Sequence, residues 1–182
     1  MTFTLRPMHP GDLHPVLAIA AASPEAPQWP GSAYEPYFAH DPANPALLRT
    51  ALVAECPDEP RLDTQLLLEG RDSRLPGGPV LAFACATLLL DGTQTLCQLD
   101  SIAVRPTRRR QGIGAALLHE ILRWAREENA RQFSLEVRAS NNAAILLYRR
   151  FGLLPEGRRP HYYADPVEDA LILGKPVTRG TP

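Results

Sequence analysis

Two glycines follow three arginines in the stretch RRRQGIGAALL, which covers residues 108–118. The apolar spacing downstream predicts that a helix begins at Gly112. A helix N-terminus carries unpaired backbone N–H groups and about half a positive charge. Gly112 and Gly114 let an anion approach that backbone closely, and Arg108 to Arg110 add positive charge beside it. The chemistry that these residues suit is phosphate binding.

Two familiar phosphate loops do not match this stretch. A Walker loop ends in Gly-Lys-Ser/Thr, whereas Gly114 is followed by two alanines. The dinucleotide fingerprint needs a third glycine or alanine, and Leu117 occupies that position. The residues alone leave two interpretations. One is a phosphate-binding loop of another type, and the other is a glycine-rich helix start that faces water.

The elements around this loop are a β-hairpin before it and a helix–strand–helix after it. Val80 to Leu90 is a long apolar strand, and Asp91-Gly92 is a strong hairpin signal. The returning strand, Thr95 to Val104, carries Gln98 and Asp100 two residues apart, so they share a face. Apolar residues at helical spacing predict a helix over Gly112–Asn129, a strand follows over Phe133–Val137, and a second helix covers Asn142–Phe151.

The first half of the chain is less regular. We expect a strand at Thr2–Pro7, a helix at Leu13–Ala22, a proline-rich loop with a short helix at Ser23–Asn44, and a short helix before a strand near Leu52–Glu55. A last strand begins at Leu171. This mixture predicts one mixed α/β domain over residues 1–177, followed by a short tail over residues 178–182.

Composition narrows the function classes. The chain has 182 residues and a net charge of −1, which gives no general nucleic-acid signal. It contains no apolar run near the ~18 residues of a membrane span and no secretory signal, so we expect a cytoplasmic protein without a membrane partner. Cys56, Cys85 and Cys97 fit no zinc spacing, and we expect reduced core thiols and no metal.

Several motifs together resemble the GNAT acyltransferase superfamily. The hexapeptide Arg109–Gly114 matches its pyrophosphate motif, Arg/Gln-x-x-Gly-x-Gly/Ala, and the strand Ser101–Val104 precedes it as expected. Downstream, LEVRASNNAAILLYRRFGL at 135–153 and GRRPHYYADPVEDALIL at 157–173 are similar to the ribosomal-protein alanine N-acetyltransferases, the RimI group. The close match covers Leu99 to about Lys175.

The resemblance implies a splayed, mostly antiparallel sheet flanked by helices, with acetyl-CoA in the cleft between its central strands. It assigns the pantetheine arm to the backbone of Ile102, Ala103 and Val104. It assigns the pyrophosphate to the loop residues Arg109, Arg110, Gln111, Gly112, Ile113, Gly114 and Ala115. It also places Asn141 on the cofactor.

The same resemblance suggests the catalytic groups. Tyr148 lies where the superfamily places a tyrosine near the cofactor sulfur, and Glu136 lies where the RimI group has its general base. Many relatives have a glutamate base at the position of Gln98, whose amide accepts no proton, so Asp100 is a rival base. The alternatives without a catalytic role are that Tyr148 packs in the core and that Glu136 is a solvated strand residue.

Proton chemistry limits the base that each kind of acceptor amine requires. An α-amino group has a pKa near ~8 and a lysine side chain near ~10.4, so deprotonation at pH 7 costs roughly 1 and 4–5 kcal/mol. A weak or water-relayed base therefore serves an N-terminal amine. By resemblance, Tyr162, Tyr163, Glu168 and Asp169 help to form the acceptor side, as an acidic and aromatic mouth or as a solvated loop.

Three functions remain in competition. The first is acetyl transfer from acetyl-CoA to a protein N-terminus by direct attack in a ternary complex. The second is the same chemistry on a small amine, which the unusual Ser23–Asn44 segment favours because acceptor specificity is usually set there. The third is an acyl-CoA-binding module without turnover. The sequence leaves monomer and homodimer equally open.

Overall fold

A computed structural model describes residues 2–38, 44–59, 61–62, 74–75, 78–91 and 94–178. Its helices are α1 (Leu13–Ala21), α2 (Ile113–Glu127) and α3 (Asn142–Arg150), with short 3-10 turns at Pro10–Asp12, Gly31–Tyr37 and Pro106–Arg108. Its strands are β1 (Thr4–Pro7), β2 (Leu47–Glu55), β3 (Arg61–Leu62), β4 (Arg74–Leu75), β5 (Val80–Asp91), β6 (Gln94–Val104), β7 (Gln132–Arg138), β8 (Leu154–Ala164) and β9 (Val167–Pro176).

A seven-stranded sheet organises the molecule, in the order β1-β2-β5-β6-β7-β9-β8. Neighbouring strands are antiparallel except for β6 and β7, which are parallel. The predicted hairpin is confirmed by the antiparallel pairing of β5 with β6, although Gly92 itself lies outside the described residues. The expected mixed α/β architecture, with a mostly antiparallel sheet and flanking helices, is confirmed.

The two central strands separate part of the way along their length. β6 and β7 pair only from Leu96 with Gln132 to Leu99 with Leu135. Beyond that point β6 continues to Val104 on its β5 side, and β7 continues to Arg138 on its β9 side. The facing edges of both strands therefore carry backbone groups that the sheet does not pair, and they border an opening in the middle of the sheet.

Each face of the sheet is covered by a different set of elements. The apolar stripe of α2 packs on one face, where Ile113, Leu117 and Ile121 are buried as their helical spacing predicts. On the other face, α1 and the 3-10 turn at Gly31–Tyr37 bury Phe83 and Tyr34. Because β5 is covered on both faces, its buried residues form the continuous apolar run seen in the sequence.

One expectation about secondary structure was wrong, and one strand was not predicted. The short helix expected at the start of residues 45–56 is absent, because β2 begins at Leu47 and pairs with β5 over its whole length. The edge strand β8 was missed. Its residues are almost all exposed and include prolines and arginines, so it lacks the alternating pattern of a half-buried strand.

The cysteines behave as small core residues. All three are buried free thiols, as expected, and burial raises the pKa of the Cys97 thiol to about 12. Among the described residues, no cluster of His, Cys, Asp or Glu has the makings of a metal site. In the same part of the chain, none of the helices is long and apolar enough to cross a membrane.

Candidate active site

A cavity of about 410 Å³ lies where β6 and β7 separate. Residues of β6 and β7 form two of its walls, and the start of α2 and one side of α3 complete it. With the exception of Gln111, every residue predicted as catalytic or cofactor-binding contributes to its lining: Asp100, Glu136, Tyr148, Ile102, Ala103, Val104, Arg109, Arg110, Gly112, Ile113, Gly114, Ala115 and Asn141. Gln111 is exposed in the same loop.

A β-bulge marks the point of separation on β6. Leu99 pairs with Ala86 and Ser101 pairs with Cys85, so that Asp100 is an extra residue without a partner on β5. A bulge of this kind re-aims the side chains around it. The alternation of polar and apolar residues that begins at Gln98 is broken by the consecutive polar residues Asp100 and Ser101, at the position of the bulge.

The bulge brings two consecutive polar side chains to the same face of the sheet. Asp100 is hydrogen-bonded to Thr87, and Ser101 lies opposite Cys85, which is two residues from Thr87 and therefore on its face. Strict alternation would have placed Asp100 and Ser101 on opposite faces. The Ser101 hydroxyl is buried in the cavity lining and has no hydrogen-bond partner among the residues that the structure describes.

Asp100 is held by two hydroxyl groups. The Tyr37 hydroxyl donates to its Oδ2 at 2.9 Å, and Thr87 Oγ1 donates to the same oxygen at 2.7 Å. Burial raises the pKa of the Asp100 carboxyl, and the two hydrogen bonds oppose that change. Trp29 stacks on Tyr37 with ring centroids 6.2 Å apart. Sequence reasoning missed Tyr37, because 63 residues separate it from Asp100.

The glycine-rich loop has the backbone geometry of an anion site. Gly112 is the N-cap of α2 with φ +81°, and Arg110 has φ +65°, so two residues of the loop adopt the left-handed conformation. No atom lies within 4 Å of a Cβ added at Gly112, which leaves the space beside the backbone open to a ligand. This arrangement of exposed N–H groups at a helix N-terminus fits a pyrophosphate.

The three arginines of the loop have different environments. Arg109 donates to Glu25 Oε1 at 2.9 Å, to Ser23 Oγ at 3.0 Å and to the Val104 carbonyl oxygen at 3.2 Å. Arg108 forms an ion pair with Glu59. Arg110 makes no ion pair with any residue in the described part of the chain, and its side chain is exposed beside the cavity. Arg110 is therefore the arginine most available to a phosphate.

Glu136 lies one residue beyond the last pair that joins β7 to β6. Its side chain is 17 % exposed. Its Oε1 forms an ion pair with Arg159, whose Nε lies 2.9 Å away, and the carboxylate raises the pKa of the Tyr162 phenol. The glutamate between apolar neighbours is thus held by specific partners and is not a freely solvated strand residue.

Tyr148 is buried on the cavity side of α3. Burial raises the pKa of its phenol, and Tyr163 adds to this effect. The phenol therefore keeps its proton at neutral pH. Asn141 caps the same helix, with Oδ1 accepting the Ala144 N–H at 3.1 Å, which leaves its amide nitrogen to act as a donor.

The expected acidic mouth is only partly present. Tyr163 lines the cavity under the guanidinium of Arg138, which lies 4.1 Å from its ring centroid. Glu168 instead binds Arg138 and the Ser140 N–H, and Asp169 binds Arg158 and the His161 N–H. These hydrogen bonds lower the pKa of both carboxyls, and neither residue belongs to the cavity lining.

Comparison with known proteins places this geometry in a family. The model of the acetyltransferase (GNAT) family matches residues 29–153, which is more than half of the chain. A putative ribosomal protein bS18-alanine N-acetyltransferase of Bacillus subtilis is 45 % identical over 76 residues, which cover 42 % of this chain and 50 % of that protein. The ribosomal protein bS18-alanine N-acetyltransferase of Escherichia coli is 39 % identical over 103 residues, covering 56 % and 67 %.

Solved structures extend the likeness to the whole chain. The crystal structure of the ribosomal-protein-S18-alanine N-acetyltransferase from Escherichia coli superposes with a TM-score of 0.69, at 26 % identity, over 99 % of this chain and 97 % of that one. Arabidopsis thaliana NAA60, solved with a bisubstrate analogue, has a TM-score of 0.78 at 20 % identity, over 98 % and 100 %. The second likeness concerns the fold alone.

Proposed function

Since this chain belongs to the GNAT acetyltransferase family, we propose that it transfers the acetyl group of acetyl-CoA to the α-amino group of a protein N-terminus. The observation that carries the proposal is the cavity between the separated strands. It joins an anion-binding helix N-terminus at Gly112 to a carboxylate and a phenol, Glu136 and Tyr148. The names of the Bacillus subtilis and Escherichia coli relatives support the choice of acceptor, although the Bacillus match spans only half of that relative's length.

The cofactor is held mainly by backbone. The unpaired edge of β6 at Ile102–Val104 would hydrogen-bond the amide groups of the pantetheine arm, as a further strand does. The N–H groups from Arg110 to Ala115 and the Arg110 guanidinium would hold the pyrophosphate. When bound, acetyl-CoA supplies the activated thioester carbonyl.

Glu136 acts as the base in this proposal, either directly or through a water molecule. It takes a proton from the acceptor nitrogen while that nitrogen forms a bond to the thioester carbonyl carbon. Because an α-amine is the easier amine to deprotonate near pH 7, a carboxylate is sufficient. The C–S bond then breaks, and Tyr148 donates its phenolic proton to the departing sulfur.

Asp100 is the alternative base. Two observations support a positioning role for it instead. Both of its hydroxyl partners bind Oδ2. One of them, Tyr37, belongs to the 3-10 turn that packs with α1 on one face of the sheet. Asp100 in this role fixes Tyr37 and Trp29 on the acceptor side. Comparing Glu136→Gln with Asp100→Asn separates the two possibilities.

The test is a free-CoA release assay combined with mass spectrometry of the acceptors. The panel contains peptides that begin with alanine and are rich in arginine, the same peptides with blocked N-termini, and a set of polyamines and amino acids. We expect acetylation of the free N-termini alone, and a loss on the order of 10²-fold or more in kcat for Glu136→Gln. If only the small amines were acetylated, the protein acceptor would be overturned. If kcat fell by this amount in Asp100→Asn and not in Glu136→Gln, Asp100 would be the base.

A further inference from the structure

The proposed base is already occupied by a cation from the protein itself. Arg159 Nε lies 2.9 Å from Glu136 Oε1, and the same guanidinium lies 5.4 Å from the ring centroid of Tyr162. The Glu136 carboxylate also raises the pKa of the Tyr162 phenol. An acceptor amine that is to reach Glu136 therefore meets Arg159 first.

The fold delivers Arg159 to this position through an irregular segment of the edge strand. Arg159 pairs with Ala170, but the next pair is Tyr163 with Glu168, so three residues of β8 lie opposite one of β9. Within this segment His161 has φ +51°, and its N–H donates to Asp169 Oδ1 at 2.8 Å. Arg159 immediately precedes this braced segment and lies against the Glu136 carboxylate, and Tyr162 is the last residue of the segment.

The two members of the ion pair differ in exposure. The Arg159 side chain is 56 % exposed, whereas that of Glu136 is 17 % exposed. A half-exposed ion pair contributes little to stability, because solvent compensates the guanidinium when it leaves. Arg159 is therefore free to swing out while Glu136 stays in the cavity wall.

We propose that Arg159 occupies the position of the acceptor's ammonium group and thereby determines specificity. An acceptor binds Glu136 only if it carries a cation that replaces the guanidinium at Oε1. This inference rests on the proposed function. Two cations repel each other at one carboxylate, so the Arg159 ion pair and a bound ammonium exclude each other. A blocked N-terminus has no charge with which to replace Arg159. Once bound, the ammonium loses one proton to solvent, and Glu136 takes the second as the neutral amine attacks the thioester carbon.

The experiment measures KM and kcat for an alanine-initiated peptide with the variants Arg159→Gln and Arg159→Lys. Arg158→Gln is the matched control, because the neighbouring Arg158 is 64 % exposed and binds Asp169 and not Glu136. Removing the competing cation should lower the peptide KM on the order of 2- to 5-fold in Arg159→Gln, the range that an exposed ion pair contributes, with kcat unchanged. Arg159→Lys should stay near the wild-type KM, and Arg158→Gln should not change it.

Other outcomes overturn the inference. A lower kcat or a higher KM in Arg159→Gln would mean that Arg159 orients Glu136 or binds the acceptor. An equal change in Arg158→Gln would mean a general charge effect. A second readout does not need turnover: the ¹⁵N NMR signal of the Arg159 Nε–H, identified by its loss in Arg159→Lys, should shift when a free-N-terminus peptide binds and not with the blocked peptide. If no peptide is acetylated but this shift occurs, the proposed reaction fails while the inference stands; an unchanged signal overturns the inference.

Discussion

At the scale of single residues, the site depends on partners that the sequence does not place side by side. Glu136 is bound by Arg159 from the edge strand, and Asp100 is bound by Tyr37 from the turn after α1. Tyr148 is buried, and burial raises the pKa of its phenol. The same residue types in solvent would lack a fixed orientation.

Tyr148→Phe tests the phenol as the acid. Removing the hydroxyl removes the proton donor to the leaving sulfur but retains the ring that packs in the core. We expect kcat to fall on the order of 10²-fold, while the dissociation constant of acetyl-CoA changes little. Steady-state kinetics and calorimetric titration measure the two quantities. An unchanged kcat would assign the proton donation to another group, and a protein without turnover would have no rate to lose.

Asp100→Asn tests the buried carboxyl through stability. Burial raises the pKa of Asp100 in the folded protein above its ordinary value of 3.8, so the folded state binds the proton more tightly than the unfolded state. Folding is therefore favoured below that value, and the advantage is lost as the pH rises through the folded pKa. The asparagine variant lacks this loss. Its Tm relative to wild type should increase from pH 4 to pH 8 in thermal melts, and a constant difference would contradict the assignment.

At the scale of elements, the loop before α2 and the bulge in β6 determine what the cavity offers. The loop turns its backbone through two left-handed residues, and the bulge places Asp100 and Ser101 on one face. Both features direct polar groups toward the cavity. Their geometry has a cost in the free protein, as expected where binding is the purpose.

Gly112→Ala tests the left-handed loop conformation. A Cβ at φ +81° costs about 1–2 kcal/mol, even though the space around Gly112 is open. For a protein of this size, we expect the Tm of the ligand-free protein to fall by roughly 2–8 °C. Gly114→Ala is the control. Its Cβ would lie 3.5 Å from Val104 Cγ2 and 3.6 Å from Leu147 Cδ2, which are ordinary contacts. The control should not lower the Tm, and a drop equal to that of Gly112→Ala would refute the strain argument.

At the scale of the whole molecule, the separation of β6 from β7 connects two differently covered faces of one sheet. The glycine-rich loop lies at the start of α2 on one side, and the stacked rings of Trp29 and Tyr37 lie on the α1 side. A ligand in the opening bridges strands that do not pair with each other there. Binding of the cofactor should therefore stabilise the entire fold.

A thermal shift measures this coupling. Acetyl-CoA at 100 times its dissociation constant stabilises the folded state by about 2.7 kcal/mol, because it binds the folded state alone. At roughly 2–4 °C per kcal/mol, the Tm should rise by about 5–11 °C. Pantetheine, which lacks the pyrophosphate, should give a much smaller rise at the same concentration. Equal rises would mean that the glycine loop does not hold phosphate.

Much of the fold was predictable because local patterns agree with it. The helical spacing of Ile113, Leu117 and Ile121 and the apolar run of β5 each report burial directly. The glycine loop was predictable because it is contiguous and its backbone makes the site. The edge strand β8 could not be predicted, because an exposed strand shows no burial pattern in its sequence.

The sequence by itself determined the family, the glycine-rich start of α2 and the identity of the polar residues along β6, β7 and α3. These depend on local spacing, which the chain carries with it. The tertiary structure alone decided that Asp100 and Ser101 share a face, that Tyr37 reaches Asp100, and that Arg159 covers Glu136. Those contacts join residues far apart in the chain through sheet register and a bulge, and register is set by the packing of the whole sheet rather than by any one segment.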